Sequence, residues 1–211
     1  NLLRLVSASY LEGFYYKPRM DKDLLRAYHE GLICLSGCVG SELARALWAR
    51  DLEKAKAVIK EHQEIFGVEN YYLEIMHHPK IERQLEIKEA TIKLARELNI
   101  PLVATQDAHY LEPEDAKAHD TLVAIQTQAT DEDKRFSNQA EDFSFITPEK
   151  ANEYFADTPE AITNTVKIAE RCEFKLELGK WVFPNYPKKE NETYEEMLCQ
   201  MAREKLKKYL E

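Results

Sequence analysis

The chain of 211 residues has few glycines, no paired cysteines and no excess of positive charge. Only 6 glycines are present, and none forms the Gly-rich loop that a nucleotide-phosphate or dinucleotide site requires. The 4 cysteines include no CxxC pair, which favours reduced thiols over a disulfide framework. A dinucleotide-binding fold and a disulfide-stabilised secreted domain are therefore excluded.

Positive charge and long apolar runs are also missing. The formal net charge is −9, whereas a domain whose main task is to bind a phosphate backbone is usually basic. We therefore do not expect this chain to be the principal DNA-binding surface of its protein. No apolar run approaches the ~18 residues of a membrane span, so no membrane contact is expected. A hydrophobic share of 44% and a charged share of 32% indicate a globular domain.

Three short apolar runs, each followed by a helical pattern, dominate the first part of the chain. Alternation of strands and helices indicates parallel pairing through right-handed crossovers. The fold class is therefore α/β, and we predict part of a barrel, because three units are too few to close one. The predicted strands are residues 32–35, 71–76 and 101–105, and the predicted helices are about 1–10, 41–48, 51–66, 82–98 and 114–126.

After about Thr127 the pattern becomes mostly helical. Residues 130–142 are polar and lack periodicity, which predicts an exposed loop. Thr147 and Thr158 each stand before a proline and a glutamate, which predicts two helices with threonine N-caps. One side of the second helix carries Ile162, Val166, Ala169 and Cys172 at helical spacing.

The last part of the chain contains a proline-containing stretch and one more helical pattern. Residues 181–191 hold two prolines and a lysine pair, which is typical of a linker, and an amphipathic helix is predicted at about 194–210. We predict a domain over 1–180 and a lead into a further domain over 181–211. Because the chain begins with Asn1 inside a helical pattern, we expect it to be part of a longer protein.

Side chains capable of chemistry follow each predicted strand. In parallel α/β folds these loops meet at one edge, so Cys38, His77, His78, Asp107 and His109 are expected near one another. Asp107 and His109 are two residues apart, so a carboxylate and an imidazole can approach one ion from the same side. Cysteine, histidine and aspartate bind zinc, and the mixture also suits manganese or iron. Cys38, Asp107 and His109 are therefore candidate metal ligands, and no catalytic residue is assigned.

Each of these positions also has an ordinary structural interpretation. An isolated Asp-x-His is weak by itself, because His109 could equally bond a backbone carbonyl. His77 and His78 are expected to form a turn with one exposed imidazole. Glu74 could point into the barrel, but an ion pair with a lysine or arginine is the favoured interpretation. His119 is expected to pack against the strands or face solvent.

Several motifs, in order along almost the whole chain, resemble the bacterial DNA polymerase III α subunit family. They are residues 1–7 (NLLRLVS), 16–21 (YKPRMD), 31–40 (GLICLSGCVG), 103–110 (VATQDAHY), 159–165 (PEAITNT) and 168–172 (IAERC). The resemblance implies the later part of a polymerase-and-histidinol-phosphatase (PHP) domain, a distorted (β/α)₇ barrel, with a mostly helical C-terminal extension. It also implies that Cys38 matches the family's cysteine-or-histidine ligand, and that Asp107 and His109 match its closing Asp-x-His pair.

The resemblance further implies a DNA-directed DNA polymerase that uses Mg²⁺, with a PHP site that binds zinc, manganese or iron and hydrolyses 3′ phosphodiesters. Implied partners are DNA, dNTPs, a sliding clamp and a proofreading exonuclease, in the cytoplasm. The alternatives are a non-catalytic PHP scaffold that stabilises the polymerase and docks the exonuclease, or a free-standing PHP phosphoesterase. The early metal ligands and the polymerase aspartates are not in this chain. We therefore expect the chain alone to be inactive and to self-associate through uncovered strand edges.

Overall fold

The computed structural model describes residues 1–127, 141–175, 177–181, 183–188 and 191–210. The chain divides into two compact units, Asn1–Cys172 and Glu173–Glu211. Most of the loop predicted at 130–142 lies outside the described residues. Among the helices that are described, none is both long enough and apolar enough to cross a membrane.

The first unit contains a parallel sheet of three strands in the order β1-β2-β3. The strands are β1 (Cys34–Leu35), β2 (Tyr71–Ile75) and β3 (Leu102–Ala104). Cys34 pairs with Tyr71 and Leu73 with Leu102, so strands consecutive in the chain are neighbours in the sheet. The predicted α/β class and parallel pairing are confirmed, while the barrel stays a prediction.

Helices alternate with the strands and continue after them. The helices predicted in the first 127 residues are confirmed with boundaries shifted by a few residues, and short 3₁₀ turns at Val68–Asn70 and Pro113–Asp115 precede β2 and the sixth helix. In chain order the helices are α1 (Leu2–Leu11), α2 (Lys22–Tyr28), α3 (Glu42–Trp48), α4 (Leu52–Phe66), α5 (Gln84–Leu98), α6 (Ala116–Thr127), α7 (Pro148–Tyr154), α8 (Pro159–Arg171) and α9 (Tyr194–Leu210).

Capping side chains fix several helix starts. Thr147 accepts a hydrogen bond from the backbone N–H three residues later at 3.3 Å, which confirms this predicted N-cap. Thr158 is the N-cap residue of α8, as predicted, but its buried side chain makes no capping hydrogen bond. No helix is predicted at residues 22–28, yet α2 forms there behind Asp21, which accepts a capping bond at 2.8 Å.

The core of the first unit is formed by the sheet and by α3, α4, α5 and α8. On α8 the buried residues are Ala161 and Asn164, whereas Val166 on the predicted apolar side is 57% exposed. Asn164 donates a hydrogen bond to the carbonyl of Leu102 at 2.7 Å, which satisfies a buried backbone acceptor of β3. Where α8 lies close to the sheet, its buried residues are therefore a small one and a polar one, and not the residues of its most apolar side.

Candidate metal centre

The carboxylate of Glu74 connects the ends of all three strands. It belongs to the one half-buried residue of β2, whose other residues are buried. One oxygen accepts a hydrogen bond from Gly37 N–H, after β1, at 3.0 Å, and the other from the Thr105 hydroxyl, after β3, at 2.5 Å. The ion pair predicted for Glu74 is wrong. Within the described chain its partners are these neutral donors, because its position on the sheet brings it between two strand ends.

Two cysteines flank the end of β1 and differ in their environment. Burial, together with the charge of Glu74, raises the pKa of Cys34 to about 11, so this thiol stays uncharged at neutral pH. Cys38 is exposed, and its carbonyl accepts a hydrogen bond from Ser41 N–H at 2.9 Å in the turn before α3. Of the two thiols, Cys38 is therefore the one that an ion can reach.

Asp107 and His109 lie together after β3, as their spacing predicts. His109 Nε2 is 3.3 Å from Asp107 Oδ1, and the two side chains are 40% and 50% exposed. Ala108 N–H donates to the carbonyl of Gln106 at 3.0 Å, so the loop turns tightly at this point. A carboxylate beside an accessible imidazole can bind a cation directly. The closeness of the two side chains is confirmed, and their role as ligands stays a prediction.

A distant stretch, residues 141–145, lies along the loop that carries this pair, and we call it the bracing segment. The carbonyl of Phe143 accepts a hydrogen bond from His109 N–H at 2.8 Å, and Phe143 N–H donates to the Tyr110 hydroxyl at 3.0 Å. Ser144 forms a parallel bridge with Tyr110, and Phe145 N–H donates to the Tyr110 carbonyl at 2.9 Å. The backbone around His109 is therefore held by residues far away in the sequence.

The bracing segment also contacts the loop after β2. The Glu141 carboxylate accepts a hydrogen bond from Lys80 N–H at 2.7 Å, and the Phe143 ring stacks on His78 with centroids 4.8 Å apart. Residues 141 and 142 belong to the stretch predicted as an exposed loop, but both are half-buried. That prediction is wrong at these two residues, because pairing with distant loops covers them.

The adjacent histidines after β2 are packed rather than exposed. His78 is only 2% exposed, and neither ring nitrogen has a hydrogen-bond partner within the described chain. His77 stacks on Tyr154 with centroids 4.2 Å apart, and its Nδ1 is likewise buried and unpartnered there. Burial lowers the pKa of both imidazoles. The predicted turn is present at residues 79–80, but the exposed imidazole predicted with it is wrong, because aromatic rings from later elements cover both histidines.

His119 of α6 reaches the candidate site from another element. Its ring centroid lies 5.1 Å from that of His109 and 5.6 Å from that of Tyr110. Its Nδ1 is buried and has no partner among the described residues. His119 therefore contacts the Asp-x-His loop, which its position in the middle of a helix did not indicate.

The described part of the chain contains no group of three histidine, cysteine, aspartate or glutamate side chains close enough to hold a metal ion. The structure brings Asp107 and His109 together, while Cys38 lies in the loop after β1. The donor types fit a divalent cation such as zinc, because they combine a carboxylate, an imidazole and an accessible thiol. Fewer than three of these donors are assembled at one point, so further groups would have to complete a metal site.

Comparisons with known proteins identify the family of this chain. Residues 1–78 match the PHP domain, a stretch that includes Cys38. DNA polymerase III subunit alpha from Borreliella burgdorferi is 44% identical over 88% of this chain, and that from Thermus aquaticus is 37% identical over 96%. The corresponding subunit from Deinococcus radiodurans is 41% identical over 85% of this chain. The chain spans 16%, 17% and 14% of the length of these three curated relatives. It belongs to the family of DNA polymerase III α subunits.

Proposed function

We propose that this chain is a segment of a DNA polymerase III α subunit and serves DNA-directed DNA synthesis by nucleotidyl transfer. The support is similarity over most of the chain to proteins that carry this name. The share of those relatives that it spans supports a role as one part of a longer polypeptide. DNA, dNTPs and Mg²⁺ are the proposed substrates and cofactor of the whole subunit, which would act in the cytoplasm.

We further propose that the ends of β1 and β3 contribute Cys38, Asp107 and His109 to a metal centre of the PHP domain. The observation that carries this proposal is the exposed pair formed by Asp107 Oδ1 and His109 Nε2 at 3.3 Å. Zinc, manganese or iron bound there would supply Lewis acidity toward a phosphodiester and a water of lowered pKa. The proposed reaction is hydrolysis at a DNA 3′ end.

The first experiment measures bound metal by mass spectrometry in the complete α subunit that carries this segment, and in the chain alone. Asp107→Ala and Cys38→Ala are compared with wild type, and Cys172→Ala serves as the matched control because Cys172 is also an exposed thiol. We expect the complete subunit to retain zinc, and both ligand variants to bind zinc at least about 100-fold more weakly. Hydrolysis of a 3′-labelled single strand should fall in both ligand variants and stay unchanged in Cys172→Ala.

A second candidate function is a scaffold that stabilises the polymerase and docks a proofreading exonuclease. The observation that favours it is that the described residues assemble no three-donor group. If the complete wild-type subunit takes up no metal after reconstitution, the nuclease proposal fails. Binding of the exonuclease partner that is unchanged by Asp107→Ala would then support the scaffold.

Self-association of the isolated chain is a further proposal. Large apolar side chains of α1 and the turn after it are exposed, among them Leu3 at 82% and Tyr16 at 83%. Such surfaces associate when nothing covers them. Light scattering over a range of concentrations should show dimers or larger species, and a monomer at every concentration would contradict this proposal.

A further inference from the structure

We propose that Tyr110, acting through the bracing segment, is a positioning residue that holds His109 in its place beside Asp107. This inference rests on the proposed metal centre and adds the residues that orient its β3 ligands. Tyr110 touches neither an ion nor a substrate. Its role is to fix the backbone and the ring of its neighbour His109 through Phe143.

The backbone contacts form a closed circuit around His109. His109 N–H donates to the Phe143 carbonyl at 2.8 Å, and Phe143 N–H donates to the Tyr110 hydroxyl at 3.0 Å. Phe143 is 6% exposed, so removing the phenol oxygen would leave a backbone donor of a buried residue without a protein partner. Loosening Phe143 would then release His109, because the same residue supplies the acceptor of the His109 N–H.

Side-chain packing orients the imidazole in the same way. The Phe143 ring meets His109 edge-on with centroids 5.4 Å apart and stacks on the buried His78 at 4.8 Å. The His119 ring lies 5.1 Å from the His109 ring. Rings that contact an exposed ligand from the protein interior limit its rotamers, and such support around a ligand strongly affects metal affinity.

The chain offers a matched pair of substitutions. Tyr110→Phe removes a hydroxyl that accepts a hydrogen bond of 3.0 Å, and Tyr72→Phe removes one that accepts a bond of 2.9 Å from Arg171. Tyr72 lies near the start of β2, whereas the candidate site follows the strand ends. A hydroxyl that contributed only to the overall stability of the domain would give the same result at both positions.

Two measurements on the complete α subunit test the proposal. The first is amide hydrogen exchange of the peptides that contain His109 and Phe143, which needs no metal. The second is zinc affinity, with Co²⁺ absorption as a spectroscopic signature of ligand geometry. We expect Tyr110→Phe to accelerate exchange in both peptides and to weaken zinc roughly tenfold or more, while Tyr72→Phe changes neither.

The outcomes separate this inference from the proposed function. Equal effects of the two substitutions, or unchanged exchange and affinity in Tyr110→Phe, would overturn the positioning role. If wild type binds no zinc, the metal centre fails, and exchange alone decides whether Tyr110 holds the His109 loop. Faster exchange limited to Tyr110→Phe then supports the holding role, and unchanged exchange overturns it.

Discussion

The loops after β1 and β3 both carry predicted metal ligands, but the protein holds them in different ways. Cys38 stands exposed in a turn that is tied to β2 by hydrogen bonds of Ser36 and Gly37. His109, which pairs with Asp107, lies against the bracing segment, with a backbone hydrogen bond to Phe143 and a contact to its buried ring. The difference teaches that the tertiary structure leaves the thiol accessible and fixes the orientation of the imidazole, which is what the proposed metal centre would require.

The largest effect is expected where the β3 loop is braced. Phe143→Ala removes a buried ring that contacts both His78 and His109, so the free energy of unfolding should fall by about 4 kcal/mol. Urea unfolding measures this change. Phe145→Ala is the control, because Phe145 is 71% exposed and its loss should cost less than about 0.5 kcal/mol. Equal losses at the two positions would show that the bracing segment is not packed as described.

The next effect concerns the link between the two loops. Glu74→Ala removes the acceptor of both the Gly37 N–H and the Thr105 hydroxyl, and we expect a loss of about 3 kcal/mol in unfolding free energy. Glu74→Gln keeps one acceptor oxygen and an amide that can donate to the threonine hydroxyl. In urea unfolding, Glu74→Gln should therefore lose less than half as much unfolding free energy as Glu74→Ala. A glutamine variant as unstable as the alanine variant would contradict this account.

A smaller effect should appear as a pH dependence of stability. Burial lowers the pKa of His78, so near pH 6 the unfolded state binds more protons than the native state. The free energy of unfolding should therefore fall as the pH decreases through the ordinary value of 6.5. His78→Phe and His78→Gln cannot titrate, so both should show a shallower decrease, with His77 supplying the remainder. The unfolding free energy of each variant is measured between about pH 7.5 and 5. A decrease as steep as that of wild type would contradict this prediction.

The smallest effect on stability is expected at the β1 loop. Cys38→Ala removes an exposed thiol, so the unfolding free energy should stay within about 0.5 kcal/mol of wild type. Cys34→Ala should cost more, because Cys34 packs against the hydrophobic core. Thermal unfolding of the two variants side by side measures the contrast. A destabilised Cys38→Ala would show that this turn has a structural role and would weaken its use as a test of metal binding.

Local patterns were sufficient for most of the elements, α2 excepted, and for part of the site. Apolar runs placed the three strands, and the two-residue spacing of Asp107 and His109 correctly predicted that their side chains approach each other. Both the strand positions and this approach depend on neighbours only a few residues away, so a short stretch of sequence is enough to predict them. The predicted apolar side of α8 is only partly confirmed: Ile162 packs against the core, but Val166 is exposed, and the buried Asn164 bonds the carbonyl of Leu102 in the sheet.

The sequence by itself determined the alternation of strands and helices, the parallel sheet and the loops in which the candidate ligands stand. Only the tertiary structure decided that Glu74 joins two strand ends, that His78 is buried, and that residues 141–145 support His109. The physical reason is the range of the interactions. Helix and strand periodicity is set by adjacent residues, whereas the bond from Phe143 to Tyr110 spans 33 residues and has no local signature.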